Sequence, residues 1–233
     1  MSTRQTIGLI GGMSWESSSE YYKIINETVK ERLGGLNSAK CIMYSVDFEE
    51  IAGLQHQGEW EELTRLMIHF AQQLEGAGAD FIVICTNTMH KMAPEVQDNI
   101  NIPLLHIADA TAERIKEQGL TKPGLLGTKF TMEEDFYKKR LKEKYNLDVM
   151  IPSNTDREII DSVIYNELCL GILKQSSKEK FKEIIRRLVS VGADGLILGC
   201  TEIPLLISQE DVEVPLFDTT AIHSKAAVAF ALQ

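Results

Sequence analysis

The sequence predicts an α/β fold of two lobes, each a parallel sheet flanked by helices and related to the other by a pseudo-twofold axis. A stretch that occurs twice carries most of this prediction, as GADFIVICTN at residues 78–87 and GADGLILGCTE at residues 192–202. Each copy joins a Gly-Ala-Asp turn to a short, continuous apolar run, which is the pattern of a buried parallel strand. The next segments also repeat, IPLL at 102–105 after the first copy and VPLF at 214–217 after the second. Apolar runs alternate with amphipathic stretches along the chain, and strands alternating with helices imply right-handed crossovers and a parallel sheet covered on both sides.

Residues 6–13 (TIGLIGGM) read as a strand entering a glycine turn, and residues 16–32 as a helix stopped by Gly34 and Gly35. Residues 41–46 (CIMYSV) form a second strand. Between residues 59 and 76, Leu63, Met67, Phe70 and Leu74 recur at intervals of three and four, so one face of a helix lies against a sheet. The second half repeats this order: a strand and turn at 123–128, a helix at about 132–145, a strand at 148–151 before Pro152, and a helix at 180–191 before the second Gly-Ala-Asp. The helix after Asp218 is expected to pack back on the first lobe. The lobes are then residues 1–106 with 214–233, and 107–213. No low-complexity linker separates them, so the active site is expected between the lobes.

Composition bounds the function. The chain has 233 residues, 44% of them apolar, enough for one large or two small domains. No apolar run approaches the roughly 20 residues of a membrane helix, and the N-terminal residues lack the apolar core of a signal peptide, so a cytoplasmic protein is expected. Four cysteines without a CxxC pair are expected to be free thiols rather than disulfides or zinc ligands. A net charge of −10 without a dense Lys/Arg cluster argues against nucleic acid as the partner. Gly8, Gly11 and Gly12 depart from GxGxxG spacing, so no dinucleotide is expected, and neither a cofactor nor a metal is called for.

The chemistry centres on Cys85 and Cys200, each at the carboxyl end of a predicted strand, where open α/β sheets place their ligands. A thiol there that also precedes a helix, with Pro94 and Pro204 as helix starts, is expected to have a lowered pKa. A cysteine in such a place is ordinarily a small buried hydrophobe. Repetition with the same threonine neighbour argues against that reading for this pair, whereas Cys41 in a strand and Cys169 in a helix lack the context. Two thiols facing one substrate suit a nearly symmetric reaction such as racemisation, one taking the α-proton while the other returns a proton to the opposite face. Thr86, Asn87, Thr88 and Thr201 are suited to stabilise the charge that develops on the substrate carboxylate. Two readings stay open on these residues alone. One is a related carbanion enzyme, a decarboxylase or cis-trans isomerase of a diacid; the other is a non-enzymatic ligand-binding or redox-sensing protein. His90, His106 and His223 could tune a thiol or serve as satisfied core groups.

The chain resembles the aspartate/glutamate racemase superfamily over almost its whole length. The resemblance rests on GLIGGMSWESS at 8–18, SVDF at 45–48, CTNTMH at 85–90, LLHIADAT at 104–111, LLGT at 125–128, FTMEEDFY at 130–137, ELCLG at 167–171, GCTEIPLL at 199–206 and FDTTAIH at 217–223. It is nearest to the enteric-type aspartate/glutamate and broad-spectrum amino-acid racemases, and Glu202 separates it from the glutamate racemase branch, which has histidine there. The resemblance implies a racemase that works without pyridoxal phosphate, with Cys85 and Cys200 as proton donor and acceptor. It places Thr86, Asn87, Thr88, Thr201 and Glu202 around the carboxylate and amino group of an amino acid, with Met13 close by. Relatives of this kind are commonly dimers, which makes a homodimer one expected assembly and a monomer the other.

Relatives acting on acidic substrates often carry a basic residue after the second strand and a lysine near the ELxxG turn. Here those regions read DFEEI at 47–51 and Cys169-Leu170. A buried carboxylate without a partner costs several kcal/mol. Racemisation of neutral amino acids such as homoserine is therefore expected at rates at least comparable with aspartate, unless Lys129 supplies the missing cation.

Overall fold

The structure is a computed structural model and describes residues 4–233. It divides into two compact units, one running to His106 and taking in His223–Gln233, the other being Ile107–Ile222.

In the first unit the order is β1 (Ile7–Gly11), α1 (Trp15–Leu33), β2 (Cys41–Ser45), α2 (Phe48–Gln57), α3 (Trp60–Gly76), β3 (Phe81–Ile84), α4 (Ala93–Asp98) and β4 (Leu104–Leu105). The strands form one parallel sheet in the order β2-β1-β3-β4. Side chains alternate across it, as a pleated strand requires. Ile10, Ile82 and Ile84 face a cluster with Leu63, Met67 and Leu74 of α3. Ile7, Leu9, Phe81, Val83 and Cys85 share the other cluster with Tyr21 and Ile25 of α1 and with Ala227, Val228 and Ala231 of the last helix.

The second unit holds α5 (Ile107–Glu117), β5 (Pro123–Gly127), α6 (Lys129–Glu133), α7 (Asp135–Tyr145), α8 (Asn154–Asn166), α9 (Gln175–Ser190), β6 (Gly195–Gly199) and β7 (Leu216–Asp218). Its parallel sheet has the order β5-β6-β7. The final helix, α10 (Thr219–Ala231), crosses the boundary between the units.

Several expectations need correction. Residues 214–222, expected with the first lobe, lie in the second unit, because β7 pairs with β6 and anchors the start of α10 there. The expected strand at 148–151 shrinks to one bridge between Met150 and Gly124. Met150 N donates to Pro123 O and its carbonyl accepts from Leu125 N, but Pro152 has no N–H with which to continue the ladder. The helix expected at 132–145 is two helices, because Glu134 takes an extended conformation between α6 and α7.

The duplication reaches into side-chain hydrogen bonds. In the first unit the Asp80 carboxylate accepts from Thr6 N at 2.6 Å, while Asp80 N donates to Thr6 O at 2.8 Å. In the second, Asp194 accepts from Thr121 N at 2.8 Å and Lys122 N at 2.9 Å, while its own N–H donates to Lys122 O at 3.1 Å. The aspartate of each Gly-Ala-Asp turn thus ties the entry of one strand to that of its neighbour. Two glutamines repeat in the same way. Gln97 accepts from Leu104 N and donates to Ile102 O, at 2.7 and 3.1 Å. Gln209 accepts from Leu216 N and donates to Val214 O, at 2.9 and 3.0 Å. Each glutamine pins the edge strand of its own sheet.

Candidate active site

The first thiol-bearing turn is held through its backbone. Cys85 directly follows β3 and continues the alternation of Phe81 and Val83, so its side chain is fully buried in the cluster beside α1. Cys85 N donates to Ile10 O at 2.9 Å. Its carbonyl accepts from Ser17 Oγ at 3.4 Å, and the next carbonyl, of Thr86, accepts from His90 Nδ1 at 2.8 Å. Asn87 and Thr88 are buried and lead into a 3₁₀ turn, Thr88–Met92.

The glycine loop lies between β1 and α1. Gly12 has φ +92°, and a Cβ there would stand 2.2 Å from Val46 O, so only glycine fits. Gly12 N donates to Ser18 Oγ at 2.7 Å, and Ser18 Oγ donates to Ser14 O at 2.9 Å. Ser14, joined to Met13 by a cis peptide bond, caps α1 by accepting from Ser17 N. Met13, expected near a substrate, is 4% exposed and packs in the apolar cluster that includes Ile10, Ile51 and Met89.

The second thiol is differently surrounded. Cys200 follows β6, and its Sγ–H donates to Glu202 Oε2 at 2.9 Å. Thr201 Oγ1 donates to the same oxygen at 2.8 Å. Glu202 is itself buried, so hydrogen bonds such as these stand in for the water its carboxylate has lost. Tyr165 of α8 stands in the same electrostatic neighbourhood: burial raises its phenol pKa, and the charges of Asp161, Cys200, Cys169 and Glu202 add to the rise.

Neither thiol has the lowered pKa expected at a strand end. Burial pushes Cys85 far up, and Cys200 is raised by burial first and then by the charge of Glu202 and the neighbouring Cys169. The reason lies in the segment after each cysteine. Thr88–Met92 and Ile203–Leu205 are short 3₁₀ turns rather than long helices, so no helix dipole offsets the loss of water.

The two cysteines also differ in position. Cys85 stands five positions after Asp80 and Cys200 six positions after Asp194, while both aspartates tie equivalent strand entries. By strand register Cys85 corresponds to Gly199, and Cys200 to Thr86.

The remaining candidates separate clearly. Cys41 is half-buried in β2. Cys169 is half-buried in a 3₁₀ turn, Leu168–Leu170, rather than in an α-helix, and is close enough to Cys200 to raise its pKa. Lys129 donates its backbone N–H to Asp161 Oδ1 at 2.7 Å, and its ammonium faces Glu158 at 3.8 Å on the surface. Glu49 and Glu50 are exposed in the first turn of α2. His223 is a satisfied core group: Nε2 donates to Leu105 O and Nδ1 accepts from Tyr21 OH, both at 2.9 Å. Among the described residues, no cluster of three or more His, Cys, Asp or Glu is arranged to hold a metal ion, and no helix is long and apolar enough to cross a membrane. Ser17, Tyr165 and the contact between His90 and Thr86 escape a reading of the sequence alone. The WESSS run, which puts three hydroxyls in the first turn of a helix after a glycine loop, is the available signal for Ser17.

The chain is 26% identical over 231 residues to the broad specificity amino-acid racemase RacX of Bacillus subtilis (strain 168), with 96% of each chain covered. It superposes on the crystal structure of a candidate Asp/Glu racemase from Yersinia pestis with a TM-score of 0.92 and 53% identity, covering 98% of this chain and 100% of that one. An aspartate racemase homologue from Pyrococcus horikoshii OT3 gives a TM-score of 0.85 and 40% identity over the same shares. Residues 10–227, which take in both thiol-bearing strand ends and the glycine loop, match the model of one family throughout. The chain belongs to the Asp/Glu/Hydantoin racemase family.

Proposed function

We propose that this protein is an amino-acid racemase that inverts the α-carbon by two-base proton transfer, with Cys85 and Cys200 as the acid/base pair and no cofactor called for. The hydrogen bond from Cys200 Sγ to Glu202 Oε2 carries the reading, because it supplies what a thiol of raised pKa needs. A buried thiol is a poor base until its proton has somewhere to go. Glu202 can take that proton as the substrate enters, leaving a thiolate to remove the α-proton. Cys85 then delivers a proton to the opposite face, and the reverse reaction exchanges the roles. The carbanion-like state places charge on the substrate carboxylate, where Thr86, Asn87, Thr88 and Thr201 supply donors.

The substrate class follows from charge. The charges of Asp161 and Glu202 act on Tyr165, that of Glu202 acts on Cys200, and the Lys129 ammonium is directed to Glu158. A second carboxylate would meet negative charge on this side of the site, so amino acids with neutral side chains are favoured over aspartate. A panel of L-amino acids in deuterium oxide, followed by chiral chromatography, tests both parts. Racemisation predicts α-deuterium uptake with inversion, and homoserine turnover at least equal to aspartate. Absence of uptake from every amino acid would refute the activity; turnover of aspartate or glutamate alone would refute the substrate class. Family membership and free cysteines support a cytoplasmic enzyme, and a homodimer is the assembly proposed, to be checked by sedimentation.

A further inference from the structure

We infer that His90 is a positioning residue for the Cys85 half of the reaction, acting on the backbone of the catalytic turn rather than on the thiol. This rests on the two-thiol reading above. A carbonyl oxygen only accepts, so the 2.8 Å contact with Thr86 O fixes the proton of His90 on Nδ1. Ser17 Oγ donates to the preceding carbonyl, of Cys85, so two successive carbonyls of the turn are tied back. In a trans peptide the N–H points opposite to the C=O. Holding these two carbonyls therefore aims the N–H groups of Thr86 and Asn87 the other way, and with them sets the direction in which Cys85 leaves the strand.

The ring that does this is itself braced within the same unit. His90 packs against His106 with centroids 4.6 Å apart, and against His223 edge-on at 5.7 Å. His223 is fixed at both nitrogens, by Leu105 O and Tyr21 OH. All three imidazoles are buried, with His90 only 1% exposed. A long aliphatic side chain would fill the same space at no polar cost, so the histidine is explained by the hydrogen bond it donates.

Position-matched amides separate this role from packing. The Asn side chain places its N–H₂ where His Nδ1 stands, whereas Gln places it near Nε2, out of reach of Thr86 O. His90→Gln and His90→Leu should lower kcat about 10- to 100-fold, the scale of a misplaced catalytic group, with KM changed far less. His90→Asn should return kcat to within about threefold of the parent. Urea unfolding of the same proteins shows whether activity follows stability or donor position. If His90→Leu does not fold, the Gln and Asn variants decide. Parent-like kcat in His90→Gln, or an equal loss in folded His90→Asn, overturns the inference. Cys85→Ser is assayed alongside. Full racemisation in that variant removes the two-thiol reading and this role with it, whereas an inactive Cys85→Ser beside a fully active His90→Gln overturns the positioning role alone.

Discussion

Cys200 Sγ and Glu202 Oε2 stand 2.9 Å apart, and the hydroxyl of Thr201 shares the same carboxylate oxygen. The carboxylate accepts the thiol's hydrogen bond and, by its charge, raises the thiol pKa. Replacement by an amide separates these effects. Glu202→Gln should move the thiolate titration of Cys200, read by ultraviolet absorbance, to lower pH. Racemisation should nevertheless fall about 100- to 10,000-fold, because the proton acceptor is gone. A lower thiol pKa with unchanged turnover would show that Glu202 serves no proton-transfer role.

Acid should weaken the fold through His223 before it reaches the carboxylates. Burial holds this imidazole at a pKa of about 4, below its ordinary value of 6.5. Between these values the unfolded chain binds a proton that the folded chain refuses, so stability falls as pH drops from 6.5 and levels off below 4. The shift is worth about 3 kcal/mol. Asp109, Asp156 and Asp211 have lowered pKa values through their Arg or Lys partners, and their contributions are lost only at lower pH. Urea midpoints from about pH 7 to 4 should decline in the parent and be flatter in His223→Gln.

The aspartate ties give a stability prediction in each unit. Asp194→Ala leaves two strand-entry N–H groups without their acceptor and should cost about 1–2 kcal/mol, with Asp80→Ala costing less because it frees one. Unfolding monitored by a probe in each unit checks this. No change in either variant would reduce the ties to incidental contacts.

Gly12→Ala should be far more damaging than its size suggests. The positive φ and a 2.2 Å approach to Val46 O leave no room for a methyl group, and the obstacle is backbone just past the next strand. We expect a loss of at least about 3 kcal/mol or insoluble protein. A soluble, fully active variant would show that the loop can shift without consequence.

Strands and long helices are legible in the sequence because their signals are local. The apolar runs of β3 and β6 are bounded by Gly-Ala-Asp, and Leu63, Met67, Phe70 and Leu74 mark α3 by period alone. The break at Glu134 is not legible, since FTMEEDFY contains neither Gly nor Pro. The truncated strand at Met150 is legible in principle, because Pro152 is visible in the sequence and its missing N–H ends the ladder. Cys85 and Cys200 stand out by their repeated context, but their pKa values depend on burial, which no spacing reveals. The bond between His223 and Leu105 spans 118 positions and exists only once the last helix has packed. The glutamine ties do leave a trace, since Gln97 precedes Leu104 by the same interval as Gln209 precedes Leu216.

The one-residue difference between the two thiol positions has a kinetic meaning. Mirror-image amino acids have equal free energy in water, so the reaction has an equilibrium constant of one and kcat/KM must be the same in both directions. Yet on the two-thiol proposal one enantiomer gives its proton to a Cys200 thiolate beside Glu202, and the other to a Cys85 thiolate whose sulfur lies 4.0 Å from the Val83 carbonyl. Such an imbalance cannot favour either product at equilibrium. It can only divide between saturation and turnover, so that the hand processed faster at high concentration is also the hand bound more weakly.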